Sequence, residues 1–243
     1  MNRKSVLGIG IDALLLNEAV DKIVEYMDCG MAHQIVTANP EIIMKALEDA
    51  EYADIVARAS LVTGDGSGVV WAAKTLGTPL PERVTGIDLL NAVLPKLVSK
   101  RYGLYLLGGK PGVVEKAALE MQRAFPGLEI VGMYHGYFAS EDEKNVIDDI
   151  IKCKPRVLAV GMGAPRQEKW LAMHLPELCV PVGIGIGGSL DVWAGEVKRA
   201  PDWIRKLSLE WLYRMIRQPV RFKRVLAIPR FMYMVKKESC KRK

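Results

Sequence analysis

Six short apolar runs, each bounded by Gly, Asn or Asp, alternate with stretches of helical periodicity through most of this chain, and this order restricts the fold more than any other feature. Residues 34–39, 61–65, 103–109, 128–132, 156–163 and 180–188 read as strands. Residues 41–59, 87–100, 113–125, 141–152 and 166–175 read as helices between them. Repeated strand, helix, strand units demand crossover connections, so the predicted class is α/β: a mostly parallel sheet flanked by helices on both faces. Sheets of this kind bind ligands beyond the carboxyl ends of their strands. Thr37, Asn39, Asp65, Gly108, Gly109, Gly161, Gly163 and Gly187 all fall at such predicted ends.

Charge divides the chain in two. Residues 196–243 hold fifteen Lys or Arg against four Asp or Glu, a net +11, whereas the preceding 195 residues hold nineteen against twenty-four, a net −5. The basic charges are interleaved with apolar groups. Ile204, Leu207, Trp211 and Met215 recur at helical spacing, Leu209, Leu212 and Ile216 widen that stripe, and Lys206, Glu210, Arg214 and Arg217 fill the rest of the wheel. Pro219 interrupts the pattern, residues 220–226 resume it, and Pro229 interrupts it again. Short basic amphipathic helices suit an anionic membrane surface, where each cation contributes about 1 kcal/mol. Packing on the chain's own core is the competing use of such a helix; binding of phosphate-rich RNA is a weaker third, since no stacking platform is recognisable. The expected division is a core over 1–195 and a basic amphipathic helical appendage over 196–243, hinged at 198–201.

Composition removes other classes. At 243 residues, half of them hydrophobic, the chain can bury a full core. No stretch approaches the eighteen or so uncharged apolar residues of a spanning helix, and the longest charge-free apolar segment, 178–190, is broken by Pro and Gly. Arg3 and Lys4 precede a short apolar run, but Asp12 interrupts it and no small-residue cleavage site follows, against a secretory signal. Cys29, Cys153, Cys179 and Cys240 lack Cys-x-x-Cys spacing, which points to a reducing cytosol. His33, His135 and His174 share no ligand spacing and no Asp-x-Asp occurs, so no metal site is expected.

The candidate chemistry lies at the strand ends. In Thr37-Ala38-Asn39-Pro40-Glu41, Asn39 suits a helix cap and Pro40 the first helical position, so capping alone could account for Asn39. Asp65, between Gly64 and Gly66, is a carboxylate that a ligand can approach closely, and a general base is one use for it; a simple turn residue is the other. Arg83 offers forked donors to phosphate or carboxylate from a loop before a helix. Residues 161–168 form a Gly-rich strand end, a Pro and a helix start, an arrangement that aims backbone N–H groups at an anion. Residues 183–191 have the glycine content of a dinucleotide fingerprint without its spacing.

Taken in order, Thr37 to Glu41, Asp65-Gly66, Arg83 to Gly86, Gly161 to Glu168, Gly185 to Asp191, Ala194-Gly195, Arg199-Ala200-Pro201 and Leu209 to Arg214 resemble the WecG/TagA/CpsF family of bacterial glycosyltransferases, glycosyltransferase family 26. The resemblance runs from about residue 7 to residue 221 and departs at Leu190, where many relatives are expected to carry an aromatic. It implies a Rossmann-like sheet and a metal-independent, inverting hexosyltransferase without cofactor. The implied donor is UDP-N-acetylmannosamine and the implied acceptor N-acetylglucosamine on undecaprenyl diphosphate, in wall teichoic acid linkage-unit synthesis; related members use other UDP-sugars such as UDP-N-acetylmannosaminuronic acid. It further implies Asp65 as base, with Thr37, Asn39, Arg83 and Gln167 as polar groups of the same pocket. Arg214 and Arg221 would stabilise the leaving diphosphate, Asp191 would contact the nucleotide, and Gly108, Gly109 and Gly163 would let the backbone approach substrate. The implied location is cytoplasmic, on the inner face of the cell membrane, with the tail helix favouring self-association away from lipid. The alternative of another class is a non-catalytic nucleotide-binding protein with a nucleic-acid-binding tail. An NAD-dependent enzyme is disfavoured because the Gly-rich segment comes late in the chain.

Overall fold

A computed structural model describes residues 2–198, 200, 201, 204, 213 and 227–241. The chain begins with an antiparallel hairpin, β1 (Arg3–Val6) and β2 (Ile9–Asp12), followed by α1 (Leu16–Asp28). Then come β3 (His33–Ala38), α2 (Pro40–Glu48), α3 (Ala50–Arg58), β4 (Leu61–Gly64), α4 (Ser67–Thr75) and α5 (Gly86–Lys100). They are followed by β5 (Leu104–Gly108), α6 (Val113–Ala124), β6 (Ile130–Tyr134), α7 (Glu143–Cys153), β7 (Val157–Gly161), α8 (Arg166–Leu178), β8 (Val182–Gly185) and α9 (Ser189–Trp193). The last described element is α10 (Ala227–Lys241). Strands β3 to β8 form one six-stranded sheet in the order β4-β3-β8-β7-β5-β6, every neighbouring pair parallel. The α/β class and all six strands read from the sequence are therefore present.

Alternation along the strands sends successive side chains to opposite faces, and both faces are covered. Ile35, Leu61, Leu104, Leu106, Val157, Ala159, Val182 and Ile184 face a core built with α1, α5, α6 and α9. On the other face, Val36, Ala38 and Val62 meet the hairpin, α2, α3, α4 and α10, while Tyr105, Leu107, Leu158 and Val160 meet α7 and α8. Strand β8 presents only glycine to α8. A Cβ at Gly183 would come within 2.7 Å of Leu171, and one at Gly185 within 2.8 Å of Gln167 Nε2. Those two glycines let the first turns of α8 lie directly on the sheet.

Several local outcomes differ from the sequence reading. The helix expected over 41–59 is two helices, because Asp49 is extended (φ −128°, ψ 104°) and its carboxylate caps α3 by accepting from Tyr52 N at 3.0 Å. The hairpin, α1 and α4 were not expected. The hairpin turn has positive φ at Leu7 (51°) and Gly8 (87°), the geometry of a primed two-residue turn, but with leucine where Asn or Asp would announce it. Asp12, which reads as a mere interruption of an apolar run, is 4 % exposed, pairs with Arg3 Nε at 3.2 Å and accepts the N–H of Val62 at 2.8 Å. It thereby satisfies a backbone donor on the outer edge of β4.

The tail is helical over α10, as expected, but Pro229 falls inside the helix and does not interrupt it. Pro229 sits in the first turn of α10, where the missing N–H breaks no helical bond. Phe231 and Val235 of α10 are wholly buried between α2 and α4, and Arg230 pairs with Glu48. Arg214, Arg221 and the stripe residues Leu207, Leu209, Trp211, Leu212, Met215 and Ile216 lie outside the described residues. Among the described residues, no helix is long and apolar enough to cross a membrane.

Candidate active site at the carboxyl edge of the sheet

Strand register places the first group of candidates side by side. Thr37 pairs with Thr63 and Ala38 with Gly64, so Asn39 and Asp65 leave the sheet as neighbours, and Asp65 N donates to Ala38 O at 2.8 Å. The loop carrying Arg83 crosses directly above. Val84 N donates to Gly64 O at 3.0 Å and Thr63 Oγ1 to Val84 O at 3.1 Å. That crossing delivers Gly86, the first residue of α5, with its N–H 3.3 Å from Asp65 Oδ2. The carboxylate thus rests at a helix N-terminus, where free N–H groups and the helix dipole favour negative charge.

Thr37 is 5 % exposed and donates through Oγ1 to Gly185 O at 3.0 Å, tying β3 to the neighbouring β8. A Cβ at Gly86 would stand 3.1 Å from that hydroxyl, so any larger residue here would make Thr37 give by a few tenths of an ångström. Asn39 caps α2 as its sequence context suggests, Oδ1 accepting from Ile42 N at 3.0 Å. Capping uses the amide oxygen and leaves the NH₂ end for a ligand.

The second group sits on β7 and β8. Gln167 is 2 % exposed, and its Oε1 accepts two backbone donors, Gly163 N at 3.1 Å and Gly187 N at 3.0 Å. The N–H of Gly163, read from the sequence as aimed at an anion, is directed inward to Gln167. Glu168, for which the sequence alone suggests no role, is 0 % exposed. It accepts from Gln167 Nε2 at 2.6 Å and from the Tyr52 hydroxyl at 2.9 Å. Burial pushes its carboxyl above the ordinary carboxylate range, against the opposing pull of those hydrogen bonds and of Lys45. Burial, with Glu168 beside it, likewise raises the Tyr52 phenol.

Gly108 and Gly109 lie at the end of β5. With φ of 145° and 68° they have backbone that other residues avoid, and a Cβ on Gly108 would meet Gly161 O at 2.5 Å. This tight junction between β5 and β7 is where the connections diverge, β5 leading outward to β6 and β7 inward to β8, the switch point at which open sheets bind ligands. Asp191 lies on α9 immediately after the buried Leu190, whose side chain packs over Gly161 within the core. A cleft of about 560 Å³ between α5, α6 and α9, lined by Ile87, Asn91, Arg123 and Trp193 among others, contains none of the candidate residues. Among the described residues no group of three or more His, Cys, Asp or Glu could hold a metal ion.

The carboxyl edge therefore collects Thr37, Asn39, Asp65 and the Arg83 loop on one side and Gln167, Gly163 and Gly187 on the other, joined through Thr37 and Gly185. Comparison with known proteins identifies the family. A protein from Bacillus spizizenii named N-acetylglucosaminyldiphosphoundecaprenol N-acetyl-beta-D-mannosaminyltransferase is 36% identical over 214 residues, 88% of this chain and 82% of that protein. A Staphylococcus aureus protein of the same name is 37% identical over 238 residues, 97% of this chain and 93% of that protein. The family described as "Glycosyl transferase WecG/TagA/CpsF family" matches residues 4–243, and the chain belongs to it.

Proposed function

We propose that this glycosyltransferase moves N-acetylmannosamine from UDP-N-acetylmannosamine to N-acetylglucosamine carried on undecaprenyl diphosphate, the linkage step of wall teichoic acid synthesis. The observation that carries the reading is the match to relatives of that name over nearly the whole chain, with Asp65 held at the carboxyl edge of the sheet. In the proposed step the acceptor hydroxyl oxygen bonds to the anomeric carbon of the donor while the bond from that carbon to the diphosphate oxygen breaks, and its electron pair leaves with UDP. Asp65 takes the hydroxyl proton. A single displacement inverts the anomeric centre and needs no covalent enzyme intermediate.

Thr37, Asn39 and Arg83 surround the base and orient the sugars, and Gln167 fixes the facing wall. Asp191 reads the nucleotide, with Gly108, Gly109 and Gly163 allowing close backbone approach. Arg214 and Arg221 neutralise the charge that grows on the departing UDP, a task that otherwise falls to a divalent cation, so the transfer proceeds without metal or other cofactor. The lipid acceptor requires the enzyme to work at a membrane surface. The +11 of residues 196–243 supports peripheral docking to the anionic inner leaflet from the cytoplasm, with self-association away from lipid.

The direct test is UDP release from UDP-N-acetylmannosamine with a lipid-diphosphate N-acetylglucosamine analogue. Acceptor-dependent release is the expected result; absence of release with both substrates saturating sinks the reading. Sedimentation with vesicles containing anionic lipid, compared with neutral vesicles, tests the docking.

A further inference from the structure

Glu168 is a buried carboxyl group to which the proposed transfer gives no direct part. Its surroundings define what it does. The Gln167 carboxamide has two orientations related by exchange of oxygen and nitrogen, and its neighbours decide between them. With the oxygen toward Gly163 and Gly187, both N–H groups are accepted and the nitrogen donates to Glu168 Oε1 at 2.6 Å. Reversed, the NH₂ would face two N–H donors, so both of those contacts would be mismatched. Glu168 is itself held on several sides: the Tyr52 hydroxyl meets Oε2, Gln34 Nε2 donates to its carbonyl at 3.0 Å, and Lys45 Nζ grips Ala164 O at 2.5 Å just before α8.

We propose that Glu168 is a positioning residue for glycosyl transfer: by accepting the Gln167 amide it locks the carboxamide oxygen onto the N–H groups of Gly163 and Gly187, holding the loops after β7 and β8 at the spacing the donor requires. This rests on the reading of the carboxyl edge as the transfer site. Four substitutions separate the contacts of this pair. Glu168→Gln keeps an acceptor for Gln167 and turns a donor toward the Tyr52 oxygen, so the pattern survives. Glu168→Met keeps the volume and removes the acceptor. Gln167→Glu still accepts the two N–H groups but sets carboxyl against carboxyl. The exchange Gln167→Glu with Glu168→Gln reverses the polarity of the pair and restores every match.

The experiment measures UDP release by the full chain and these variants, separating kcat from the donor KM, with the melting temperature of each recorded. Glu168→Gln is expected within about threefold of wild type, while Glu168→Met and Gln167→Glu lose on the order of 10- to 100-fold in kcat/KM as the loops shift, the cost of small misplacements at a reacting centre, and the exchanged pair regains about tenfold over Gln167→Glu. A residue that only stabilises would lower the melting temperature of Glu168→Met and leave its donor KM and kcat unchanged below the melt, and that result overturns the proposal. If both single variants fail to fold, the exchanged pair decides: a folded and active exchanged variant supports the inference, and a folded but inactive, or unfolded, exchanged variant overturns it. Wild-type protein that releases no UDP refutes the functional reading instead.

Discussion

The two sides of the carboxyl edge handle polar groups in opposite ways. On the β3 and β4 side, Asp65 is partly exposed and meets the N–H of Gly86 at a long 3.3 Å. On the β7 and β8 side, Gln167 is almost fully buried and commits its oxygen to two backbone donors and its nitrogen to Glu168. A half-exposed carboxylate at a helix N-terminus can take a proton from something that arrives. A saturated buried carboxamide can only hold loops in place. Under the proposed function, chemistry falls to one wall and framework to the other, and substitutions on the two walls then have different signatures.

The largest expected effect lies on the chemical wall. Asp65→Asn keeps the shape and removes the proton acceptor, and turnover at saturating substrate should fall on the order of 10²- to 10⁴-fold with little change in donor affinity or melting temperature. Near-normal turnover would break the comparison by removing its chemical side. Next, Gln167→Leu strands the N–H groups of Gly163 and Gly187, each at about 1–3 kcal/mol. For a chain of this size roughly 2–4 °C of melting temperature is lost per kcal/mol, so calorimetry should show a clear drop that Asp65→Asn does not.

A smaller effect tests the buried acid behind the framework wall. Because the folded state raises the Glu168 carboxyl, it binds that proton more tightly than the unfolded chain does. The associated stability is fully present below the ordinary glutamate pKa of about 4.3 and is lost as pH rises through the folded value. Denaturant unfolding across that window should therefore show wild type losing stability relative to Glu168→Gln as pH rises, the difference levelling off above it. A pH-independent difference would place the carboxyl in a charged state throughout. The smallest effect expected is none: excess chelator should leave UDP release unchanged, and loss restored by Mg²⁺ would add a cation to the chemical wall and turn attention to Asp191 and to Asp88, an acidic residue in the first turn of α5.

How much was legible in the sequence follows the same physics. The strands of a doubly covered sheet are apolar throughout and bounded by Gly or Asp, so β3 to β8 stood out, and so did the residues at their carboxyl ends. What escaped depended on partners distant in sequence. Asp12 looks like an interruption until Val62 arrives to donate to it. Leu7 gives no sign of positive φ, because the strain is borne by the pairing around it. Glu168 reads as an ordinary first-turn carboxylate of a helix; its burial is set by Tyr52 from α3 and by the absence of side chains at Gly183 and Gly185. Pro229 reads as a stop because its neighbours are periodic on both sides, yet a helix accepts proline in its first turn.

The burial of Phe231 and Val235 has a consequence for how the protein is made. They complete an apolar core that contains Val6, Ile9, Ile42 and Val69, all synthesised long before them. At roughly 5–20 residues per second, the interval between Ile9 and Phe231 leaving the ribosome's catalytic centre is about 10–45 s. For the last part of that interval, the roughly 2–9 s after Gly185 completes β8, the groove between α2 and α4 stands uncovered on a nascent chain whose sheet has all its strands. The N-terminal half is thus finished last, its apolar groove open until α10 emerges to close it.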